Sequence, residues 1–162
     1  MREIVFDTET TGLDSREDRV IEIGGLELVN RFPSGRTFHV YLNPQGRSVH
    51  PEAQAVHGIS NADLADKPAF HDIVGEFLEF IDGAKLVAHN ATFDMAFVNA
   101  ELARIGRFID APFIDDEIRA ITGERAGRDT MPSDIAGDLV YTLSPSTVMA
   151  LKVSSTRADS IR

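Results

Sequence analysis

Glu3-Ile4-Val5-Phe6-Asp7-Thr8-Glu9-Thr10-Thr11-Gly12 runs from an apolar, β-forming segment straight into two acids and a Thr-Thr-Gly turn. Side chains alternate along a strand, so Asp7 and Glu9 leave the same face and Thr8 points away. Two carboxylates side by side on an otherwise apolar strand repel each other and lose hydration. A divalent cation between them would remove both costs, and all-oxygen ligands suit Mg²⁺ or Mn²⁺. Alone, the pair would equally describe a strand end entering a polar loop. The rest of the chain decides between the two.

The chain has 162 residues, a length expected for one domain burying roughly two thirds of its unfolded surface. Its 43% hydrophobic and 26% charged content is that of an ordinary globule. No apolar run approaches the ~18 residues of a membrane span, and the first residues lack a signal-peptide pattern. There is no cysteine, so disulfides and thiolate metal sites are excluded, which fits a cytoplasmic protein. A net charge of −10 and a pI near 4.8 argue against gripping long nucleic acid through phosphates. They are compatible with holding a chain end through metal ions.

After the Thr-Thr-Gly turn and a polar loop, Arg19–Asn30 reads as a strand with a bulge or close backbone approach at Gly24-Gly25. Phe32–Arg36 reads as a turn, and Phe38, Val40 and Leu42 alternate through a third strand, giving an antiparallel meander. Pro51–Gly58 has the signature of a short helix, with Pro near its start and Gly past its end. Ser60–Asp63 resembles a capping box opening another helical piece. Ile73, Val74, Phe77, Phe80 and Ile81 have helical spacing, and Gly83 supplies the stop. Leu86–Ala88 is a short strand leading into His89-Asn90-Ala91-Thr92-Phe93-Asp94, and Phe93, Ala96, Phe97, Ala100 and Ala103 form the buried stripe of a further helix. The pattern predicts an α/β sheet flanked by helices. Beyond Asp115 the sequence turns polar; Ile135, Leu139, Val140 and Leu143 suggest a weak helix face, and Ser154–Arg162 a frayed end.

Asp94 is the third acid of interest. If the Leu86–Ala88 strand lies beside the first, Asp94 arrives at the same sheet end as Asp7 and Glu9. Three such carboxylates suit a two-metal phosphoryl-transfer site. Asp94 is also well placed for a first-turn acid on a helix.

Asp7-Thr8-Glu9-Thr10-Thr11-Gly12, Val56-His57-Gly58-Ile59 and His89-Asn90-Ala91-Thr92-Phe93-Asp94 together resemble the proofreading 3′–5′ exonucleases of the DEDD superfamily. The specific likeness is to the epsilon type of bacterial DNA polymerase III, and it covers roughly residues 2–115. The resemblance implies a ribonuclease H-like mixed sheet, with an antiparallel meander plus a parallel strand. It implies two Mg²⁺ or Mn²⁺ ions held by Asp7, Glu9 and Asp94, which are also the catalytic acids. Glu52 and His57, with Asp7 and Glu9, would contact the terminal nucleotide. The implied partners are a single-stranded or frayed DNA 3′ end and the polymerase III core subunits. His89 lies within the third motif without matching the family's catalytic histidine, and is expected to be a buried structural or orienting residue.

The family's last motif, His-x-x-x-x-Asp, is missing. The five histidines are His39, His50, His57, His71 and His89, and no late acid (Asp129, Asp134, Asp138 or Asp159) follows a histidine at that spacing. Residues 1–115 are therefore expected to form the exonuclease core. Residues 116–162 are expected to be a divergent tail of the same domain, either frame-shifted or poorly ordered. The codons of Thr147–Leu151, read from the last base of the threonine codon, can spell Arg-His-Gly-Ala, and His-Gly-Ala often opens that motif. Three outcomes are compatible with this pattern: an impaired DNA exonuclease, an inactive nuclease-like binding module, or an exonuclease of RNA ends.

Overall fold

The computed structural model describes residues 1–109 and, beyond them, the backbone of three strands, Phe113–Asp115, Ala136–Thr142 and Val148–Ser154. The meander forms as expected: β1 (Arg2–Thr10), β2 (Val20–Val29) and β3 (Phe32–Tyr41) pair antiparallel in succession. Helices α1 (Pro51–His57) and α2 (Phe70–Ile81) follow, then β4 (Lys85–Ala88), α3 (Ala91–Arg104) and β5 (Phe113–Asp115). The sheet order is β3-β2-β1-β4-β5, with β4 parallel to β1 and β5 parallel to β4.

One face of the sheet carries Ile4 and Phe6 of β1, Ile23 of β2, Phe38 of β3, and Leu86 and Ala88 of β4. These pack against Phe70, Val74, Phe77, Phe80 and Ile81 of α2 and against Met95, Phe97, Val98 and Leu102 of α3. By alternation, Asp7 and Glu9 leave the opposite face. The close approach expected at the glycine pair is real at Gly25, where a Cβ would stand 2.8 Å from the Phe80 ring. The irregularities in pairing lie elsewhere, between Glu9 and Thr10 of β1 and between Leu26 and Leu28 of β2.

The buried face of α3 is not the expected stripe: Ala96 and Ala103 are exposed, Phe93 and Ala100 only half-buried, and Met95, Val98, Glu101 and Leu102 are buried beside Phe97. The structure corrects three further readings. The β2–β3 turn is Asn30-Arg31, both at positive φ (53° and 71°), and Phe32–Arg36 belongs to β3. Two successive positive φ values match the twist of a two-residue hairpin, and Pro33 is tolerated because β3 is an edge strand. At Ser60–Asp63 the reciprocal bonds exist, with the Ser60 amide 2.8 Å from Asp63 Oδ2 and the Asp63 amide 3.3 Å from Ser60 Oγ. The segment they open is a series of turns and no α-helix.

The third correction concerns Leu139 and Val140, which lie in a strand and not on a helix face. β6 (Ala136–Thr142) pairs antiparallel with β7 (Val148–Ser154) in a separate two-stranded sheet. The run Leu139-Val140-Tyr141-Thr142 is rich in β-branched and aromatic residues, and pairing with a second such run outweighs a weak helical spacing. Ile135, Leu143 and residues 155–162 lie outside the described residues.

Candidate active site

Asp7, Glu9 and Asp94 meet at the C-terminal end of β1. Pairing between β1 and β4 runs only through Glu3, Ile4 and Val5, so β1 extends past β4 without a neighbour on that side. Asp94, in the first turn of α3, takes the vacated place. Its Oδ1 accepts the Thr8 amide at 3.0 Å and the Thr8 hydroxyl at 2.7 Å. Thr8 points away from Asp7 and Glu9, as alternation requires, yet it is the residue that fixes the third acid.

The electrostatics are those of crowded, half-dehydrated carboxylates. Burial, then the charges of Asp7, Glu22 and Asp94, push the Glu9 carboxyl up to about 7. Burial also raises Asp94 to about 6, with Asp7 adding to the shift and the Thr8 hydrogen bonds opposing it. Asp7 is raised by burial against the pull of the Thr8 backbone, with Glu22 raising it further. Oxygen-only donors whose charged forms are penalised by burial and repulsion fit a hard divalent cation. Among the described residues, no three acidic or histidine side chains already converge as a finished cage. The fit lies in the donor chemistry and the charge, and the carboxylates would have to close around an ion.

Glu22 had no signal in the sequence, where it is one acid in an alternating strand. Register places it directly across from Glu9, and it is buried. Only strand pairing could have found it.

His57 and Glu52 do not share a direction. His57, at the end of α1, is buried; its Nδ1 accepts the Ile59 amide at 3.0 Å, which leaves the ring proton on Nε2. Nε2 is buried with no close hydrogen-bond acceptor, the Thr10 backbone serving as a weak one. The Thr10 backbone and the Glu22 charge favour the protonated ring, but burial dominates and lowers its pKa. Five residues apart is about 140° around a helix, so Glu52 instead stands exposed on a groove of about 530 Å³ with Gly12, Leu13, Ala53 and Val56. Leu13 and Val56 are both exposed on this groove, each at 85%. α1 is tied to the Thr-Thr-Gly turn, with the His50 amide donating to the Thr11 carbonyl at 2.8 Å. His89 was expected to be buried; it is exposed just past β4, where the chain turns outward before α3, and its charge acts on Asp7.

A mixed sheet with a three-stranded meander, a parallel neighbour and acids at the end of its central strand is the ribonuclease H-like arrangement of nucleases. The exonuclease family RNase_T matches residues 4–127, past the point where the three motifs stop, and the chain belongs to that family. Among curated relatives, the DNA polymerase III subunit epsilon of Rickettsia conorii is 53% identical over 108 residues, covering 66% of this chain and 46% of the relative. That of Escherichia coli K12 is 48% identical over 113 residues, covering 67% and 46%. The chain thus spans about half the length of the curated relatives it matches. Among solved structures, E. coli exonuclease I in complex with a dT13 oligonucleotide superposes with a TM-score of 0.67 at 18% identity, covering 82% of this chain and 32% of that one. Exonuclease X in complex with 5′ overhanging duplex DNA superposes at 0.56 with 25% identity, covering 78% and 66%. Another of these structures is a zinc-bound exonuclease I with single-stranded DNA.

Proposed function

We propose that the chain is a metal-dependent 3′–5′ exonuclease of the polymerase III epsilon type, removing nucleoside 5′-monophosphates from a single-stranded or frayed DNA 3′ end. The observation that carries the reading is the meeting of Asp7, Glu9 and Thr8-bound Asp94 at one strand end, in a chain about half identical to epsilon subunits. Asp7, Glu9 and Asp94 would hold Mg²⁺ or Mn²⁺, two ions by family resemblance. The ions would supply charge neutralisation at the scissile phosphate. Thr8 keeps Asp94 in place, and Asp94 is buried while Asp7 and Glu9 are half-buried, which limits their screening by bulk water.

The groove between Leu13 and Val56 has the apolar walls that suit a nucleobase, with Glu52 at its rim. His57 Nε2–H, held only weakly by the Thr10 backbone, would donate to an oxygen of the terminal nucleotide. In the reaction, water adds to the phosphorus and the bond to the 3′ oxygen of the shortened strand breaks, leaving that oxygen as a hydroxyl. The water's proton needs an acceptor, and the family's late histidine has no counterpart in this sequence. The enzyme is therefore expected to be slow.

Residues 116–162 we read as a divergent tail of the same domain, with a shifted reading frame as one account of the divergence, although the family match runs on to residue 127. Translating the coding DNA of residues 105–162 in all three forward frames tests this. We also propose contact with polymerase III core subunits and a cytoplasmic location, and kinship with epsilon subunits supports both. No helix among the described residues is long and apolar enough to cross a membrane.

The assay is release of mononucleotide from 3′-labelled DNA and RNA oligomers with Mg²⁺, with Mn²⁺ and in EDTA. Release from DNA that requires metal supports the reading, and preferential release from RNA moves the substrate class. Binding of DNA ends without release under any condition would make the chain a nuclease-like binding module.

A further inference from the structure

Glu22 is a fourth carboxylate on the acid face, and the three acids do not account for it. It is the register partner of Glu9 across β1 and β2, so both side chains leave the sheet on the same side, with Asp7 two residues back. Glu22 is 1% exposed, and His39 Nε2 lies 2.6 Å from its Oε1. His39 stands on β3 opposite Gly24, which stands opposite Asp7. Because Gly24 has no side chain, the imidazole can lean diagonally across the gap onto Glu22. Tyr41 meets that imidazole edge-on, with ring centroids 5.1 Å apart. The charge of Glu22 acts on Asp7, on Glu9 and on His57.

Register sets the carboxylates of Glu9 and Glu22 directly opposite each other on one face, and like charges so placed are destabilising unless something cationic joins them. We propose that Glu22, held by His39, is a positioning residue of the cation site, a second layer of negative charge that retains and orients the divalent ion on Asp7 and Glu9. This rests on the reading of those acids as cation ligands. The competing account is that Glu22 and His39 merely stitch β2 to the edge strand.

The two accounts predict opposite signs. Glu22→Gln keeps the size of the side chain and a hydrogen bond to His39 but removes the charge. On the full chain, Mn²⁺ titration calorimetry should show a dissociation constant about 10–100-fold weaker than wild type, the range of outer-shell partners of metal ligands. In EDTA at pH 8, the urea midpoint of the same variant should rise, because one like charge has gone. His39→Gln, which retains a donor to Glu22, should keep most of the Mn²⁺ affinity, whereas His39→Ala should lose it. Unchanged Mn²⁺ affinity with a lowered urea midpoint in Glu22→Gln would overturn the proposal and leave the stitch. If wild type binds no Mn²⁺, the cation reading of Asp7, Glu9 and Asp94 falls, and this inference with it. If wild type binds and Glu22→Gln binds equally, only the role of Glu22 falls.

Discussion

Thr8 donates twice to a single oxygen of Asp94, from its amide at 3.0 Å and from its hydroxyl at 2.7 Å. The residue between the two strand acids thus anchors the third. Charge-assisted bonds of this kind strengthen as their surroundings dry, and both partners are buried. Asp94 is consequently held against β1 before any ion arrives.

Thr8→Val removes the hydroxyl and keeps the shape. Losing a buried hydrogen bond to a charged group costs about 1.5–3 kcal/mol, so urea unfolding in EDTA at pH 8 should show a loss of that order. Mn²⁺ affinity should fall with it, because Asp94 is no longer fixed. A variant with wild-type stability and affinity would remove Thr8 from the account.

The acids also set a pH dependence. Glu9 and Asp94 have folded pKa values of about 7 and about 6, above the usual carboxylate range. A raised folded pKa contributes stability that is fully present below the unfolded value near 4 and is lost as pH rises through the folded value. Metal-free protein should therefore lose this contribution between about pH 4 and pH 7. Mn²⁺ competes with those protons and should restore stability at the alkaline end. Urea midpoints at the two pH values, with EDTA and with Mn²⁺, check the sign; a metal-free midpoint governed by these acids that rose with pH would contradict it.

His57→Ala should weaken binding of a nucleoside monophosphate while leaving Mn²⁺ binding nearly intact, because His57 is not one of the acids proposed to hold the ion and burial disfavours its charged form. Glu52→Gln should have the smaller effect, since Glu52 stands exposed at the groove rim. Calorimetry with thymidine monophosphate decides both. Unchanged nucleotide affinity in His57→Ala would take that histidine out of the site.

The sheet and the three acids were legible because each rests on a local rule. Alternation put Asp7 and Glu9 on one face, and helical spacing with a glycine stop marked α2, whereas α3 turned a different face inward from the alanine-rich stripe that was expected. What escaped depended on partners distant in sequence. Thr8 looked like a bystander because its partner lies 86 residues away. Glu22 gained meaning only through its register with Glu9. The Asn30-Arg31 turn was missed because Pro33 and Gly35 gave a louder turn signal, which an edge strand absorbs. Leu139 and Val140 fell in a strand because β7 offered them a pairing partner. His89 was expected to be a buried structural or an orienting residue, and it stands exposed between β4 and α3.

The central claim is that Asp7, Glu9 and Asp94 form a metal-dependent site for hydrolysis at a DNA 3′ end. General acid–base assistance is worth about 10²–10⁴ in rate, and no late histidine supplies it here. The most direct measurement is single-turnover release of mononucleotide from a 3′-labelled DNA oligomer, comparing wild type, Asp94→Ala and an intact epsilon subunit. The account predicts release that requires Mg²⁺ or Mn²⁺, is at least about a hundredfold slower than the intact relative, and disappears in Asp94→Ala. Release that persists in EDTA or in Asp94→Ala, or no release from a wild-type chain shown to bind Mn²⁺, would contradict it.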